Sequence, residues 1–573
     1  MTHSKADGGV VRSSRPVDVG VDAEETPWAC FYPSSVGSDM VVDHPSMLAA
    51  WERQVRSRPE AASVHYFDHT LSVGQIDAMA GALATTLAEN GIVHGERIAI
   101  YLQNDPQWLI TLLAAWKLGA IPVAVNPMLR AAELKQILED SGAAAIVCLD
   151  SLHGIVDEVR GESGLRVVIT THPLDATSGA RIPRVFERTM EPPRACPDSI
   201  RWTRAVEAEP FIRAEGAQQD VACLTYTSGT TGRSKGAINT HSAVLHNATV
   251  YSRWWDLTPT EDVALVLAPL FHITGLVAGL GVHIVSGAPI VLMHRFDAEE
   301  TLRAIDRHRA TFMTGASTAF IALSTHPALA GIDVSSLVKT PSGGATVAQS
   351  LVDRVHAATG WILRGAYGMT ETASPTHLGP PDIDPPVDPD SGALSVGIPV
   401  PGARIRIVDP STGAPLPPGE VGEIVVAGPM VIPGYWGLPR ETAHSIRDGW
   451  LHTGDVGKVT ADGWLFMIDR IKDLINTGGY KVVPRDVEDV LYAHPDVREA
   501  SVVGVPDAYR GEAVRAYVSL MPGSTVTPDA LRAFCRERMA AYRCPRSVVV
   551  LDELPKNANG KLLRRELRDL RER

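Results

Sequence analysis

The sequence predicts an α/β protein: a large N-terminal domain on two wound sheets, followed by a small C-terminal α+β domain. Three observations carry this. Short apolar runs alternate with helical periodicity over the first part of the chain, the same rhythm restarts near residue 221, and beyond Asp469-Arg470 it changes to helix, strand, strand, helix. A chain of 573 residues holds two or three large α/β units comfortably.

In chain order, residues 1–40 are polar with both charge signs and predict a loose tail. Helices are predicted over 48–58, 71–90, 108–118 and 131–140, alternating with strands at 97–101, 121–125 and 143–149. The second wound unit places strands at 221–224, 264–267, 289–292 and 311–313. The apolar stretch 273–293 is broken by four glycines and Pro289, so a buried helix followed by a strand fits it better than a membrane span. Residues 379–420 are crowded with Pro, Gly and Asp. Strands follow at 421–426, 457–460 and 464–468, the last two joined by an Asp462-Gly463 hairpin turn. The small domain reads as helix 484–493, strands 499–505 and 513–520, and helix 528–540. The predicted division is 1–40, 41–470 and 471–573, with a charged, hinge-like junction at 470–473.

A formal charge of −13 argues against nucleic acid as a partner. The six cysteines, at 30, 148, 196, 223, 535 and 544, have no metal-like spacing and read as reduced thiols of a cytoplasmic protein. No signal peptide or transmembrane segment is predicted.

The most specific segment is 225–236, Thr-Tyr-Thr-Ser-Gly-Thr-Thr-Gly-Arg-Ser-Lys-Gly, entered from the apolar run 221–224. Gly229, Gly232 and Gly236 allow positive φ, so backbone N–H groups can turn inward. Thr227, Ser228, Thr230 and Thr231 add hydroxyls, and Lys235 adds a fixed cation; together these predict a phosphate site. It is not a Walker loop, because Gly229-x-x-Gly232-x-x-Lys235 ends in Gly236 rather than Ser or Thr.

Downstream come Pro269-Leu-Phe-His-Ile-Thr-Gly275, Ser342-Gly-Gly-Ala345, Tyr367-Gly-Met-Thr-Glu371, His452-Thr-Gly-Asp455, Asp469-Arg470 and Pro555-Lys-Asn-Ala-Asn-Gly-Lys561. In this order, with the phosphate loop, they resemble the adenylate-forming superfamily of acyl-CoA synthetases, luciferases and peptide-synthetase adenylation domains. The resemblance covers about residues 45–570, is nearest to fatty-acid and other carboxylic acid:CoA ligases, and adds a distorted β-barrel to the large domain and mobility to the small one. It implies that a carboxylate attacks the α-phosphate of ATP to give an acyl adenylate and pyrophosphate, after which a thiol displaces AMP. The substrate is itself the nucleophile, so the protein must supply cations and dipoles rather than a nucleophilic side chain.

The resemblance also assigns roles. Thr227, Ser228, Gly229, Thr230, Thr231, Gly232 and Lys235 would hold the β and γ phosphates, and Glu371 the Mg2+ ion. Thr370 would bond the α-phosphate, Tyr367 stack on adenine beside Gly343, Gly344 and Ala345, and Asp455 bind the ribose with help from Arg470. Lys561 would bridge the attacking carboxylate and the α-phosphate. Lys472 would be the hinge, Gly478 and Gly479 would pass the pantetheine arm of CoA, and His272 would lie over the carboxylate. The acid pocket is expected from Ile273, Thr274, Thr318, Phe320, Ala345, Ala366, Met369 and Ala373, which are small or apolar and suit an apolar acid. Two departures stand out: Ser234 replaces the usual proline of the loop, and Lys481-Val482-Val483 replaces the commoner lead into Pro484. The leading expectation is an acid:CoA ligase. The alternatives are a stand-alone enzyme loading a separate acyl carrier protein and a luciferase-like oxidative enzyme. Oligomeric state is left open.

Overall fold

The computed structural model describes residues 26–37, 40–177, 181–187, 190, 192–211, 220–227, 234–343, 349–389, 394–470, 473, 475–477, 480–507, 510–556 and 562–570. Seven strands form one sheet in the order Ile200–Arg201, Val167–Thr171, Ala143–Leu149, Arg97–Tyr101, Ile121–Ala124, Val221–Thr227, Lys235–Thr240. Neighbours run parallel except the last pair, an antiparallel hairpin. Along Arg97–Tyr101, Ile98 and Ile100 enter one apolar core while Ala99 and Tyr101 enter another. Both faces are covered, and for that reason these strands read as continuous apolar runs. Helix Pro106–Leu118 is equally enclosed, with Lys117 its one residue outside the core and Gly119 ending it at φ +71°.

The second sheet orders Phe312–Thr314, Ala264–Val266, Ile290–Leu292, Ala62–Tyr66 and His69–Ser72. Its first three strands are those expected. The hairpin Ala62–Tyr66/His69–Ser72 was not, and it corrects the helix predicted from Leu71, which pairs with Val64 in a strand. The helix starts at Val73 because Ser72 and Gln75 form a capping box: each side chain accepts the other's backbone N–H. The stretch at 273–293 does become a buried π-helical turn, Gly275–Gly281, continued by helix Val282–Ser286 and strand Ile290–Leu292. Among the described residues no helix is long and apolar enough to cross a membrane.

Isolated bridges Phe312↔Lys339 and Gly315↔Ser342 lead into a four-stranded sheet, Thr340–Gly343, Leu363–Met369, Ser374–Leu378 and Ile398–Pro399. Beyond it, Arg404–Val408, Gly422–Ala427, Trp450–Val459 and Ile446–Arg447 form an antiparallel sheet, with Leu465–Arg470 also on Trp450–Val459. This sheet is joined to the four-stranded one at Leu465, whose N–H donates to Gly397 O at 3.0 Å and whose carbonyl accepts from Val396 N–H at 2.9 Å. The Asp462-Gly463 turn stands as expected, with Gly463 at φ +93°. The C-terminal sheet draws only on residues beyond 470: Tyr480–Val482, Ile475–Thr477, Gly511–Leu520, Val497–Asp507 and Ser547–Val550, around a core that includes Val487, Leu491, Val502 and Leu531.

The loose tail expected over residues 1–40 is corrected for its later part. Pro27–Phe31 is a 3-10 turn, the Phe31 ring lies 5.5 Å from Trp464, and Tyr32 lies 5.5 Å from Trp254 and donates to Pro399 O at 2.9 Å. Trp28 fills the space a Cβ on Gly463 would need. Trp28, Phe31 and Tyr32 fall close together in the chain and, with their partners, bury enough apolar area to order a segment that its polar surroundings concealed.

Burial pushes His241, His246 and His283 down to about 4 and His377 to about 3. Because the folded values lie below the unfolded ~6.5, protons favour the unfolded chain only below that pH, so stability is whole above ~6.5 and falls toward pH ~4, by up to about 1.4 kcal/mol per pH unit per ring. Thermal unfolding scans should therefore show a steep fall in melting temperature from about pH 6.5 to about pH 5 and little change from about pH 7 to about pH 8.

Candidate functional site

Thr227 and Lys235 are register partners in the last pair of the hairpin Val221–Thr227/Lys235–Thr240, at the edge of the seven-stranded sheet, and flank the hydroxyl-rich segment in the sequence. Ser228, Gly229, Thr230, Thr231 and Gly232 lie outside the described residues. Gly236 is a correction: it sits within the strand rather than at positive φ, and its lack of a Cβ serves packing, since a Cβ would stand 3.0 Å from the Tyr226 ring.

A second element faces the hairpin. Strand Leu363–Met369 carries Tyr367, the turn Thr370–Thr372 carries Glu371, and Ser374–Leu378 returns antiparallel. The return is so tight that a Cβ on Gly368 would lie 1.8 Å from Ser374 O, and Ala373 and Ser374 adopt φ +46° and +85°. Such left-handed backbone costs of order 1 kcal/mol per residue and persists only when surroundings enforce it. Asn247, fully buried on helix His241–Trp254, does so: its Nδ2 donates to Thr372 O, Ala373 O and Pro375 O at 2.9, 2.8 and 3.1 Å.

Glu371 is 8% exposed, and its Oε1 accepts a 2.8 Å hydrogen bond from the Tyr435 hydroxyl. Burial, then the Glu371 charge, raises the Tyr435 phenol well above its ordinary value, so it remains a donor. The Lys235 ammonium lies 4.9 Å from the centroid of the same ring. The chain around Tyr435 is stitched to both sides: Trp436 N–H donates to Gly236 O, Ile238 N–H to Gly434 O, and Ile432 N–H to Glu371 O, at 2.7, 3.1 and 2.9 Å.

Tyr367 donates to Asp455 Oδ2 at 3.0 Å, and both are nearly buried. Asp455 is also the register partner of Arg470, whose side chain lies outside the described set. Glu423 holds the turn before Asp455: its Oε2 meets His452 Nδ1 at 3.0 Å and its Oε1 accepts from Gly454 N–H at 3.1 Å. Gly343 pairs with Ala366 beside Tyr367, while Gly344 and Ala345 lie outside the described residues.

His272 is half-buried in the turn before Gly275–Gly281, and its Nδ1 accepts from Thr274 N–H at 3.3 Å, which places the proton of the neutral ring on Nε2. Asn104 anchors this turn through Ala268 O and Leu270 N–H, at 3.1 and 2.9 Å. Of the expected acid-pocket residues, Thr274, Thr318, Ala366 and Met369 are partly open. Ile273, Phe320 and Ala373 are closed into apolar cores, with Phe320 edge-on to Trp361 at 6.1 Å. Gly275 sets the tightness here, because a Cβ would come within 2.2 Å of Pro269 O. Gly275→Ala should cost about 3 kcal/mol, as forced overpacking does, and should raise the KM for the acid more than that for ATP. Melting curves and two-substrate kinetics check this.

Lys472, Gly478, Gly479 and Lys561 lie outside the described residues. The base of the segment carrying Lys561 is described: Lys556 pairs with buried Glu499 at 2.6 Å and bridges to Leu562, and Leu563 N–H donates to Pro555 O at 2.9 Å. Sequence reasoning missed Tyr435, Asn247, Glu423 and Asn104. The first had a faint signal in Gly434-Tyr435-Trp436, aromatics behind a glycine; Glu423 was a lone acid inside an apolar strand; the two asparagines had none.

The AMP-binding enzyme family model matches residues 51–436, and the AMP-binding enzyme C-terminal domain matches residues 486–561. The chain is 33% identical over 555 residues to a long-chain-fatty-acid–CoA ligase of Bacillus subtilis, covering 95% of this chain and 98% of that protein. It is 35% identical over 522 residues to a feruloyl-CoA synthase of an Amycolatopsis species, covering 91% and 98%. Among solved structures, the anthranilate CoA ligase AuaEII in complex with anthranoyl-AMP matches with TM-score 0.82 at 26% identity, over 93% of this chain and 98% of that one. With two matched family models and relatives aligned over nearly their whole length, the chain belongs to the AMP-binding enzyme family and is an adenylate-forming ligase of the acyl-CoA synthetase kind.

Proposed function

We propose that the protein activates an apolar carboxylic acid with ATP and transfers the acyl group to CoA. In the first step a carboxylate oxygen bonds to the α-phosphorus as the bond to the β-phosphate breaks, releasing pyrophosphate. In the second the CoA thiol, losing its proton, attacks the acyl carbon and AMP departs with the electron pair. The observation that carries this reading is the paired contact set Tyr367–Asp455 and Lys235–Tyr435–Glu371. It supports the reading because an aromatic ring, two carboxylates and an ammonium, the group types that adenine, ribose, metal and phosphate call for, meet in these contacts.

In this reading Thr227, residues 228–232 and Lys235 hold the outer phosphates, and Thr370 bonds the α-phosphate. Tyr367 stacks on adenine next to 343–345, and Asp455 with Arg470 takes the ribose hydroxyls. Lys561 enters from the C-terminal domain, residues 471–573, to join carboxylate and α-phosphate. Lys472 is the pivot between the two half-reactions, Gly478 and Gly479 line the pantetheine path, and His272 covers the carboxylate.

The residues fit Mg2+. Glu371 offers one buried carboxylate with Oε1 steadied by Tyr435, and no cluster of three His, Cys, Asp or Glu side chains occurs among the described residues. One protein carboxylate suits an ion that takes its other ligands from phosphates and water. Bound there, it would neutralise charge building on the phosphates; orientation falls to Glu371, Lys235 and Tyr435 themselves.

The partly open Thr274, Thr318, Ala366 and Met369 offer no charged group to pair with a second polar end of the acid, which favours an acyl chain or an aromatic ring. All six cysteines are free, as a cytoplasmic location would have them. The test is pyrophosphate release across a panel of fatty, aromatic and alicyclic acids, followed by AMP and thioester formation on adding CoA. Formation of ADP, or no nucleotide cleavage with any acid, would refute the reading; transfer only to a carrier protein would replace CoA as acceptor.

A further inference from the structure

The Tyr435 ring touches both charged partners of the phosphate end of the cleft at once. Its hydroxyl donates to Glu371 Oε1 at 2.8 Å, and its face lies under the Lys235 ammonium at 4.9 Å. Its main chain is fixed independently. Ala237 and Tyr435 form an antiparallel bridge, Tyr435 N–H donates to Thr442 Oγ1 at 3.0 Å, and Gly434 beside it is held at φ +157° against the Thr442 side chain. The main chain that carries the ring is therefore fixed without the charges the ring contacts.

Lys235 and Glu371 carry opposite charges a few ångströms from one phenol, yet no ion pair joins them among the described residues. A direct pair at this depth would be hard to separate, and each charge would be spent on the other rather than on substrate. A ring face holds an ammonium more weakly than a carboxylate does, so the lysine stays available to an arriving phosphate. On the other side, the hydroxyl occupies one Glu371 oxygen and orients the second.

We propose that Tyr435 is a positioning residue for metal-bound ATP: its hydroxyl orients Glu371 toward the cation, and its ring keeps Lys235 from collapsing onto that carboxylate. The inference rests on the reading of Glu371 as metal ligand. Tyr435→Phe removes the hydroxyl and keeps the ring; Tyr435→Leu removes both.

The experiment measures the Mg2+ concentration for half-maximal pyrophosphate exchange, the KM for ATP, and Mn2+ binding by electron paramagnetic resonance with a non-hydrolysable ATP analogue. Wild type, both Tyr435 variants and Glu371→Gln are compared. Tyr435→Phe should raise the Mg2+ requirement and weaken Mn2+ binding about tenfold, the loss of one hydrogen bond to a charged group, with the KM for the acid unchanged. Tyr435→Leu should in addition raise the KM for ATP about tenfold, because Lys235 then pairs with Glu371. If Glu371→Gln shifts metal binding while Tyr435→Phe stays within about twofold of wild type, the inference fails alone. If Glu371→Gln shifts nothing, the metal reading of Glu371 falls and this inference with it. A purely packing role for Tyr435 would lower the melting temperature in both variants without moving metal dependence, and that result also overturns the proposal.

Discussion

Lys561→Ala is expected to slow acyl-adenylate formation by about two to three powers of ten, the loss typical of one preorganised charge donor, while leaving thioester formation from supplied acyl adenylate nearly intact. The difference follows from where charge accumulates. Two anions meet in the first half-reaction, and a lysine between them lowers the barrier to their approach; in the second the leaving group is AMP, which on the proposed assignment is held without Lys561, by Thr370 at its phosphate, Tyr367 at adenine and Asp455 at the ribose. The described residues on either side of the segment carrying Lys561 are anchored. Lys556 is fixed by buried Glu499, and Lys556 and Leu562 form an antiparallel bridge. Pyrophosphate exchange measures the first half-reaction, and AMP release from synthetic acyl adenylate plus CoA measures the second. Equal losses in both would remove Lys561 from the role.

Asn247→Leu is expected to be the most damaging single substitution in the large domain away from any substrate. It keeps the approximate volume of the side chain but removes the donor shared by Thr372 O, Ala373 O and Pro375 O. Leaving these buried carbonyls without a partner should cost at least about 3 kcal/mol. The turn it holds contains two left-handed non-glycine residues, so strain now balanced by those bonds is released into Thr370 and Glu371. A displacement of about 1 Å at such groups costs roughly a hundredfold in rate. Adenylation should fall by that factor even at temperatures where the variant remains folded by circular dichroism, and the Mg2+ requirement should rise. A variant with reduced melting temperature but an unchanged rate per folded molecule would show that the turn keeps its shape without Asn247.

What could be read from the chain follows the range of the interactions involved. The strands at 97–101 and 143–149 emerge with the bounds the structure has, because each is an apolar run enclosed on both faces. Thr227 and Lys235 could be named from the glycine- and hydroxyl-rich loop they belong to, and Tyr367, Glu371 and Asp455 from the family resemblance that their short motifs carry. The residues that orient them could not. Tyr435 reaches Glu371 across 64 positions and Asn247 reaches Thr372 across 125, and neither distance leaves a local pattern. The helix start at Val73 shows the reverse error, where apolar periodicity ran on through Leu71 and a side-chain cap at Ser72 set the true boundary. The acid pocket was the least accessible part. Its candidates come from separate elements of the large domain, and burial separates Ile273, Phe320 and Ala373 from the rest only after the chain is folded.

The docking of Trp28, Phe31 and Tyr32 has a mechanical consequence. Trp28 and Phe31 grip the hairpin tip at Gly463 and Trp464, from which Leu465–Arg470 runs toward the junction with the C-terminal domain. A pull applied at the beginning of the polypeptide is thus borne within a few side chains by the strand that ends at this joint. Anything attached upstream of Thr26, a surface tether or a large fusion partner, acts on the protein within one strand of the proposed pivot.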